Sequence, residues 1–120
     1  MTHSWLAPPI PELQALQRSS EEQRNVNAHT ASMALYHYET CMFCAGVRKA
    51  MGLLSLNIEL RDIHEDDEHF RALLNGGGRG TVPCLFIDQG DGDATWMYES
   101  GDIVRYLSEN FGSSEANPTS

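Results

Sequence analysis

The sequence predicts a single α/β domain: a strand–helix–strand unit, then a helix, a hairpin and a last helix, with a helical extension in front. Three observations predict it. The apolar, aromatic run Met33-Ala34-Leu35-Tyr36-His37-Tyr38 leads directly to the pair Cys41-Met42-Phe43-Cys44, after which apolar residues recur at helical spacing. The stretch Asn57-Ile58-Glu59-Leu60-Arg61-Asp62 alternates polar and apolar residues, as a strand does. Two further runs, Thr81 to Asp88 and Thr95 to Tyr98, flank a turn-forming segment as the arms of a hairpin do.

Size and charge set outer limits. With 120 residues the chain is long enough for one core without staples. Seventeen acidic against eight basic side chains leave a net charge of −9, which argues against a phosphate backbone as partner, so no nucleic-acid binding is expected. No apolar run approaches a membrane span, and no basic head followed by an apolar stretch opens the chain. The expectation is a soluble, cytoplasmic protein without a membrane partner.

Residues 1–32 are polar, with Pro8, Pro9 and Pro11 in a cluster and Leu13 and Leu16 at helical spacing. Ser19-Ser20-Glu21-Glu22-Gln23 offers an N-cap with Glu or Gln three residues later. One or two short helices are expected there, loosely docked or partly disordered, as an extension rather than a second domain. Residues 33–111 form the body. After the first strand, Val47, Ala50, Met51 and Leu54 mark the buried face of a helix whose first turn holds Cys44. His64-Glu65-Asp66-Asp67-Glu68 is an acidic helix start, with Phe70, Leu73 and Leu74 as the expected buried stripe. A His-plus-acid cluster can also suggest a metal, but a solvated helix N-terminus is the favoured reading.

Gly76-Gly77-Gly78-Arg79-Gly80 is expected to stop that helix, and without a following Lys-Thr or Lys-Ser it is not a nucleotide-binding loop. The strand from Thr81 has Pro83 near its start, Gln89 to Asp93 supplies the turn, and Thr95-Trp96-Met97-Tyr98 returns. Glu99-Ser100-Gly101-Asp102 opens the last helix, whose apolar face is Ile103, Val104, Leu107 and Phe111. Gly112 ends it, and 112–120 is a polar, flexible tail.

The cysteine pair carries the chemistry. At the start of a helix, Cys41 and Cys44 sit at i and i+3 on one face, a separation compatible with a disulfide. The first thiol then lies among unpaired N–H groups at the positive end of the helix dipole, which favours the reactive thiolate. Cys41 is therefore the candidate nucleophile and the more accessible thiol, with Cys44 as its resolving partner. Two other readings compete. A CxxC is half of a four-ligand zinc set, but the remaining cysteine, Cys84, lies forty residues on and no second CxxC exists, although His37 or His64 could be recruited. An inert pair is the other. No metal is expected.

The combination of Cys41-Met42-Phe43-Cys44, Thr81-Val82-Pro83 and Glu99-Ser100-Gly101-Asp102-Ile103-Val104-Arg105-Tyr106-Leu107 resembles the glutaredoxin family. The last of these segments also resembles the glutathione-binding N-terminal domain of glutathione transferases. Leu16 to Gln23 resembles an extension of some bacterial glutaredoxin-like proteins. The resemblance implies a thioredoxin-like βαβαββα fold, with a four-stranded mixed sheet and helices on both faces. It implies a cis bond between Val82 and Pro83, with the Val82 N–H and C=O pairing with the cysteinyl backbone of glutathione. It implies that Glu99 and Ser100, with Asp102 as a second acid, receive the γ-glutamyl end at a helix N-terminus. Arg79 becomes the candidate for the glycyl carboxylate, and Thr81, Val82 and Pro83 complete the glutathione-binding set.

The implied activity is that of a glutathione-dependent thiol–disulfide oxidoreductase. Glutathione would be its co-substrate, and glutathionylated or disulfide-containing proteins its partners. The alternative is a glutathione-binding module that holds an iron–sulfur cluster between two protomers through its first cysteine. A transferase acting on electrophiles is a third reading, set back by the lack of a long helical second domain in these residues. The sequence departs from the family pattern at three places. Met42 stands where many dithiol members have proline, and Glu39 where a basic residue often precedes the site, which would oppose thiolate formation. Cys84 follows the proline, either as a buried apolar filler or as a third redox thiol.

Overall fold

The computed structural model of the protein describes residues 15–112. The expectations for Pro8, Pro9, Pro11, Leu13 and the tail beyond Gly112 lie outside the described residues. Within them the order is α1 (Ser20–Thr30), β1 (Met33–His37), α2 (Met42–Leu53), β2 (Glu59–Asp62), α3 (Asp67–Gly77), β3 (Cys84–Gly90), β4 (Asp93–Met97) and α4 (Ser100–Phe111). The strands form one sheet in the order β2-β1-β3-β4. β1 is parallel to β2 and antiparallel to β3, which is antiparallel to β4. This is the mixed sheet of a thioredoxin-like fold.

Alternation along the strands divides the interior into two layers. Met33 and Leu35 of β1 and Leu85 and Ile87 of β3 meet Val47, Met51, Ile103, Val104 and Leu107 from α2 and α4. Tyr36 and Cys84, one position along, point to the other face with Ile63 and Leu73, beside Phe86, Trp96 and Tyr98. β1 is central and covered on both sides, so all five of its residues are buried.

Ser19 caps α1 in a complete capping box with Glu22, as its sequence predicts. Residues 16–26 are not loosely placed. Leu16 N–H donates to the Leu53 carbonyl at 2.8 Å, and Leu16 and Val26 pack against the larger core.

Five boundaries or faces differ from expectation, each for a physical reason. Of the α3 stripe only Leu73 is buried, whereas Phe70 and Leu74 stay exposed, because among the described residues α3 lies alone on its face of the sheet. Gly76 and Gly77 continue α3 instead of stopping it, and Gly78, at φ 93°, ends it with its N–H on the Leu74 carbonyl. A Cβ on Gly76 would overlap the Trp96 ring and one on Gly77 the Tyr98 hydroxyl, so both glycines serve close packing. β3 begins at Cys84 rather than Thr81, since Pro83 has no N–H to give the ladder. The hairpin turn shrinks to Asp91-Gly92, both at positive φ (54° and 82°), which matches the twist of the flanking strands. β2 is a short edge strand, and Leu60 is exposed despite the alternation that predicted a buried face.

Candidate active site

Strand register brings the functional segments to one end of the sheet. Tyr36 near the end of β1 lies opposite Cys84 at the start of β3, and Leu85 lies opposite Met97 at the end of β4. The connection that follows β1, the residues that precede β3 and the start of α4 must therefore emerge side by side. These are Tyr38 to Cys44, Arg79 to Pro83, and Glu99 with Ser100.

Cys41 is the N-cap of α2, with extended dihedrals (φ −76°, ψ 119°). Its N–H donates to the Tyr38 carbonyl at 3.2 Å, and its sulfur accepts the Cys44 N–H at 3.3 Å. One N–H donor at the positive end of α2 is thus aimed at the Cys41 sulfur. Cys44 is fully buried inside the first turn. Burial pushes its thiol up to about 12, and a hydrogen bond to the Cys41 sulfur adds to the effect. The order of access is the expected one, but Cys41 is less open than a helix start suggests. It is 9% exposed, while the spacer residues Met42 and Phe43 are 80% and 67% exposed. The spacer takes the solvent-facing positions.

Sequence reasoning missed Arg48. From α2 it donates to His37 Nδ1 at 2.9 Å and to the Glu39 carbonyl at 3.1 Å, bracing the connection that delivers the chain to Cys41. Since a guanidinium only donates, His37 Nδ1 is the acceptor and its imidazole is neutral. Burial and then the Arg48 charge lower the His37 pKa, against opposing pulls from Asp62, Glu39 and Glu65. Arg48 lies about two helical turns beyond Cys41. That spacing, on the face of α2 shared with Cys41 and Cys44, was the available signal.

The Val82–Pro83 bond is cis. Beside it runs a groove of about 500 Å³ lined by Tyr38, Ile63, His64, Asp67, Phe70, Gly80, Thr81 and Val82. Tyr38 and His64 stack at its wall, ring centroids 4.1 Å apart and 18° from parallel. Tyr38 links groove and thiol, since its carbonyl holds the Cys41 N–H. Glu99 and Ser100 are not part of this lining. They stand at the same end of the sheet, where Glu99 is the N-cap of α4 and no side chain caps the helix. Asp102 lies 3.7 Å from Arg105. Arg79 does not line the groove either; its guanidinium lies 4.3 Å from the centroid of the Tyr98 ring. Cys84 is fully buried opposite Tyr36, its thiol pushed up to about 12 by burial, as befits a core filler.

A second depression of about 610 Å³ lies along β2 and contains His37, Glu39, Arg48, Asp62 and His69. Neither thiol nor the cis-proline segment lines it. Among the described residues, no three His, Cys, Asp or Glu side chains are grouped to hold a metal ion, and no helix is long and apolar enough to cross a membrane.

Comparison with known proteins adds to this geometry. The family model described as "Glutathione S-transferase, N-terminal domain" matches residues 35–115. No curated protein sequence matches the chain. Among solved structures, the chain is similar to a glutathione transferase homologue from Drosophila mojavensis with bound glutathione, at 20% identity and a TM-score of 0.54. That match covers 68% of this chain but only 36% of the homologue. It is similar to buckwheat glutaredoxin in complex with glutathione at 22% identity and a TM-score of 0.51, covering 75% of this chain and 77% of that one. A thioredoxin-like protein is similar at 18% identity and a TM-score of 0.53, over 67% of this chain and 96% of the other. These likenesses establish the thioredoxin-like fold.

Proposed function

Because this chain belongs to the family of glutathione S-transferase N-terminal domains, we propose that it is a glutathione-dependent thiol–disulfide oxidoreductase with Cys41 as nucleophile. The observation that carries the reading is the setting of Cys41. It caps α2, its sulfur accepts the Cys44 N–H, and it shares one end of the sheet with the cis Val82–Pro83 segment. Solved proteins of the same fold hold glutathione, which supports the choice of co-substrate.

In the proposed cycle the Cys41 thiolate attacks the glutathione sulfur of a mixed disulfide. A new S–S bond joins Cys41 to glutathione, and the substrate thiolate leaves with the electron pair of the old bond. A second glutathione thiolate then attacks the adduct, releasing oxidised glutathione and regenerating Cys41. Alternatively Cys44 gives up its proton and attacks, expelling glutathione and leaving a Cys41–Cys44 disulfide that two glutathione molecules reduce. The high Cys44 pKa keeps this thiol protonated near neutrality, which favours resolution by a second glutathione.

Val82 offers its backbone to the cysteinyl unit, as an added strand would be held, with Thr81 alongside and Pro83 fixing the approach. Ser100 and the uncapped N–H groups of α4 receive the γ-glutamyl carboxylate, and Glu99 its amine. Arg79 is the cation for the glycyl carboxylate. The test is a glutathione-coupled assay on a mixed disulfide of glutathione and a small thiol. Turnover that disappears in Cys41→Ser is expected; a folded, reduced protein without turnover refutes the reading.

A further inference from the structure

We infer that Tyr98 is a positioning residue for glutathione, holding the segment that carries Thr81 and Val82 in register with the start of α4. The inference rests on the glutathione reading above and adds to it a residue that does not touch the reacting atoms. Tyr98 stands between the end of β4 and Glu99, the N-cap of α4. Its hydroxyl donates to the Arg79 carbonyl at 2.8 Å and accepts the Arg79 N–H at 3.2 Å. One side-chain oxygen thus satisfies both backbone groups of a residue that belongs to no helix or strand. The same ring carries the Arg79 guanidinium, 4.3 Å from its centroid.

The surroundings are shaped for this clamp. A side chain on Gly77 would collide with the Tyr98 hydroxyl, so α3 ends in a residue that leaves it room. On the opposite side, a Cβ on Gly80 would lie 2.6 Å from Phe70 Cε1, so the chain passes closely over a groove-lining ring. Gly78, Arg79 and Gly80 would otherwise be a free hinge, because two of three residues lack a side chain to restrict them. A ligand pairing with the Val82 backbone would then have to order that hinge on binding and lose affinity accordingly. Tyr98 removes the freedom beforehand, and it does so from the residue next to the α4 start. The two parts of the proposed glutathione site, the Thr81–Val82 backbone and the Glu99–Ser100 helix start, are therefore set at one distance by a single side chain.

The test uses the full chain and Tyr98→Phe, which keeps the ring in its cluster and its stack with Arg79 but removes both hydrogen bonds to Arg79 and the interaction of the hydroxyl with the Cys84 thiol. Three quantities are measured: affinity for S-methylglutathione, which cannot react; KM and kcat for the glutathione mixed disulfide; and the rate at which iodoacetamide alkylates Cys41. Loss of two hydrogen bonds that hold a binding segment is expected to weaken affinity and raise KM about tenfold, with little change in kcat. The alkylation rate should stay as in the wild type, since the thiol is not what Tyr98 holds. Equal affinity and KM in the two proteins overturn the inference, and so does a variant that loses alkylation in step with binding. If the wild type binds S-methylglutathione without turning over the mixed disulfide, the proposed reaction fails. The affinity ratio then still decides the role of Tyr98. A wild type that neither binds nor reacts overturns both.

Discussion

Arg18 and Phe111 are joined across 93 positions of sequence by a guanidinium donating to the Phe111 carbonyl at 2.7 Å. The other terminal nitrogen of the same side chain donates to the Leu54 carbonyl, also at 2.7 Å. Both carbonyls lie at helix C-termini, those of α4 and α2, where backbone acceptors lack intrahelical partners and the dipole favours a cation. One residue of the N-terminal segment thus closes the ends of two core helices.

Arg18→Ala should therefore destabilise the fold by about 2 kcal/mol, the scale of charge-assisted hydrogen bonds at a partly buried site. Denaturant titration measures it, and a change below about 0.5 kcal/mol would mean that water replaces both bonds at no net cost. Deleting residues 1–32 should cost more, because the packing of Leu16 and Val26 goes too. The truncated protein should still reduce mixed disulfides at temperatures where it is folded, since all three thiols lie beyond the cut.

Serine substitutions should separate the thiols. Cys41→Ser should abolish mixed-disulfide reduction. Cys44→Ser should keep most of it, with free glutathione resolving the adduct, but should lose reactions that pass through an intramolecular disulfide. Cys84→Ser should leave the rate nearly unchanged and lower stability by about 1–3 kcal/mol, the cost of burying a hydroxyl beside which Tyr98 is the one side-chain hydroxyl within reach among the described residues. Equal loss of activity and fold in the first two variants would point to a structural pair instead.

Stability should fall at alkaline pH. In the folded state burial holds the Cys44 and Cys84 thiols up at about 12, against 9.0 for an ordinary thiol. Below the ordinary value both folded and unfolded chains keep these protons, so the contribution is fully present. Above it the unfolded chain ionises first and gains, and the loss continues until the folded thiols also ionise. Urea midpoints should drop as the pH rises from about 9 towards about 12. A Cys84→Ala variant should drop less over the same range; an identical slope would contradict this account.

Gly76→Ala tests the packing of α3 on β4. In an open helix the change would stabilise, because alanine is the better helix former. Here the methyl meets the Trp96 ring, so overpacking should win and cost about 1–3 kcal/mol. A raised melting temperature would show that Trp96 moves aside freely.

Much of this molecule was legible from local pattern. A capping box at Ser19 and a cysteine pair at a strand–helix junction are decided within three or four residues, by hydrogen bonds and helical spacing, and the Glu-Ser start of α4 by its place ahead of an apolar helical face. The strand–helix order follows from the apolar period with its turn and cap residues, whereas the cis bond was implied only by the family resemblance of Thr81-Val82-Pro83. Only the tertiary structure decided the rest, because it turns on groups that meet from distant positions. Whether Phe70 is buried depends on having no second helix beside α3 among the described residues, and the glycines at 76 and 77 depend on Trp96 and Tyr98 across the layer. The brace of Arg48 on His37, the Tyr98 clamp on Arg79 and the reach of Arg18 to Phe111 leave no mark in a local period. Long polar side chains choose their acceptors only after packing has set which carbonyls are left without partners.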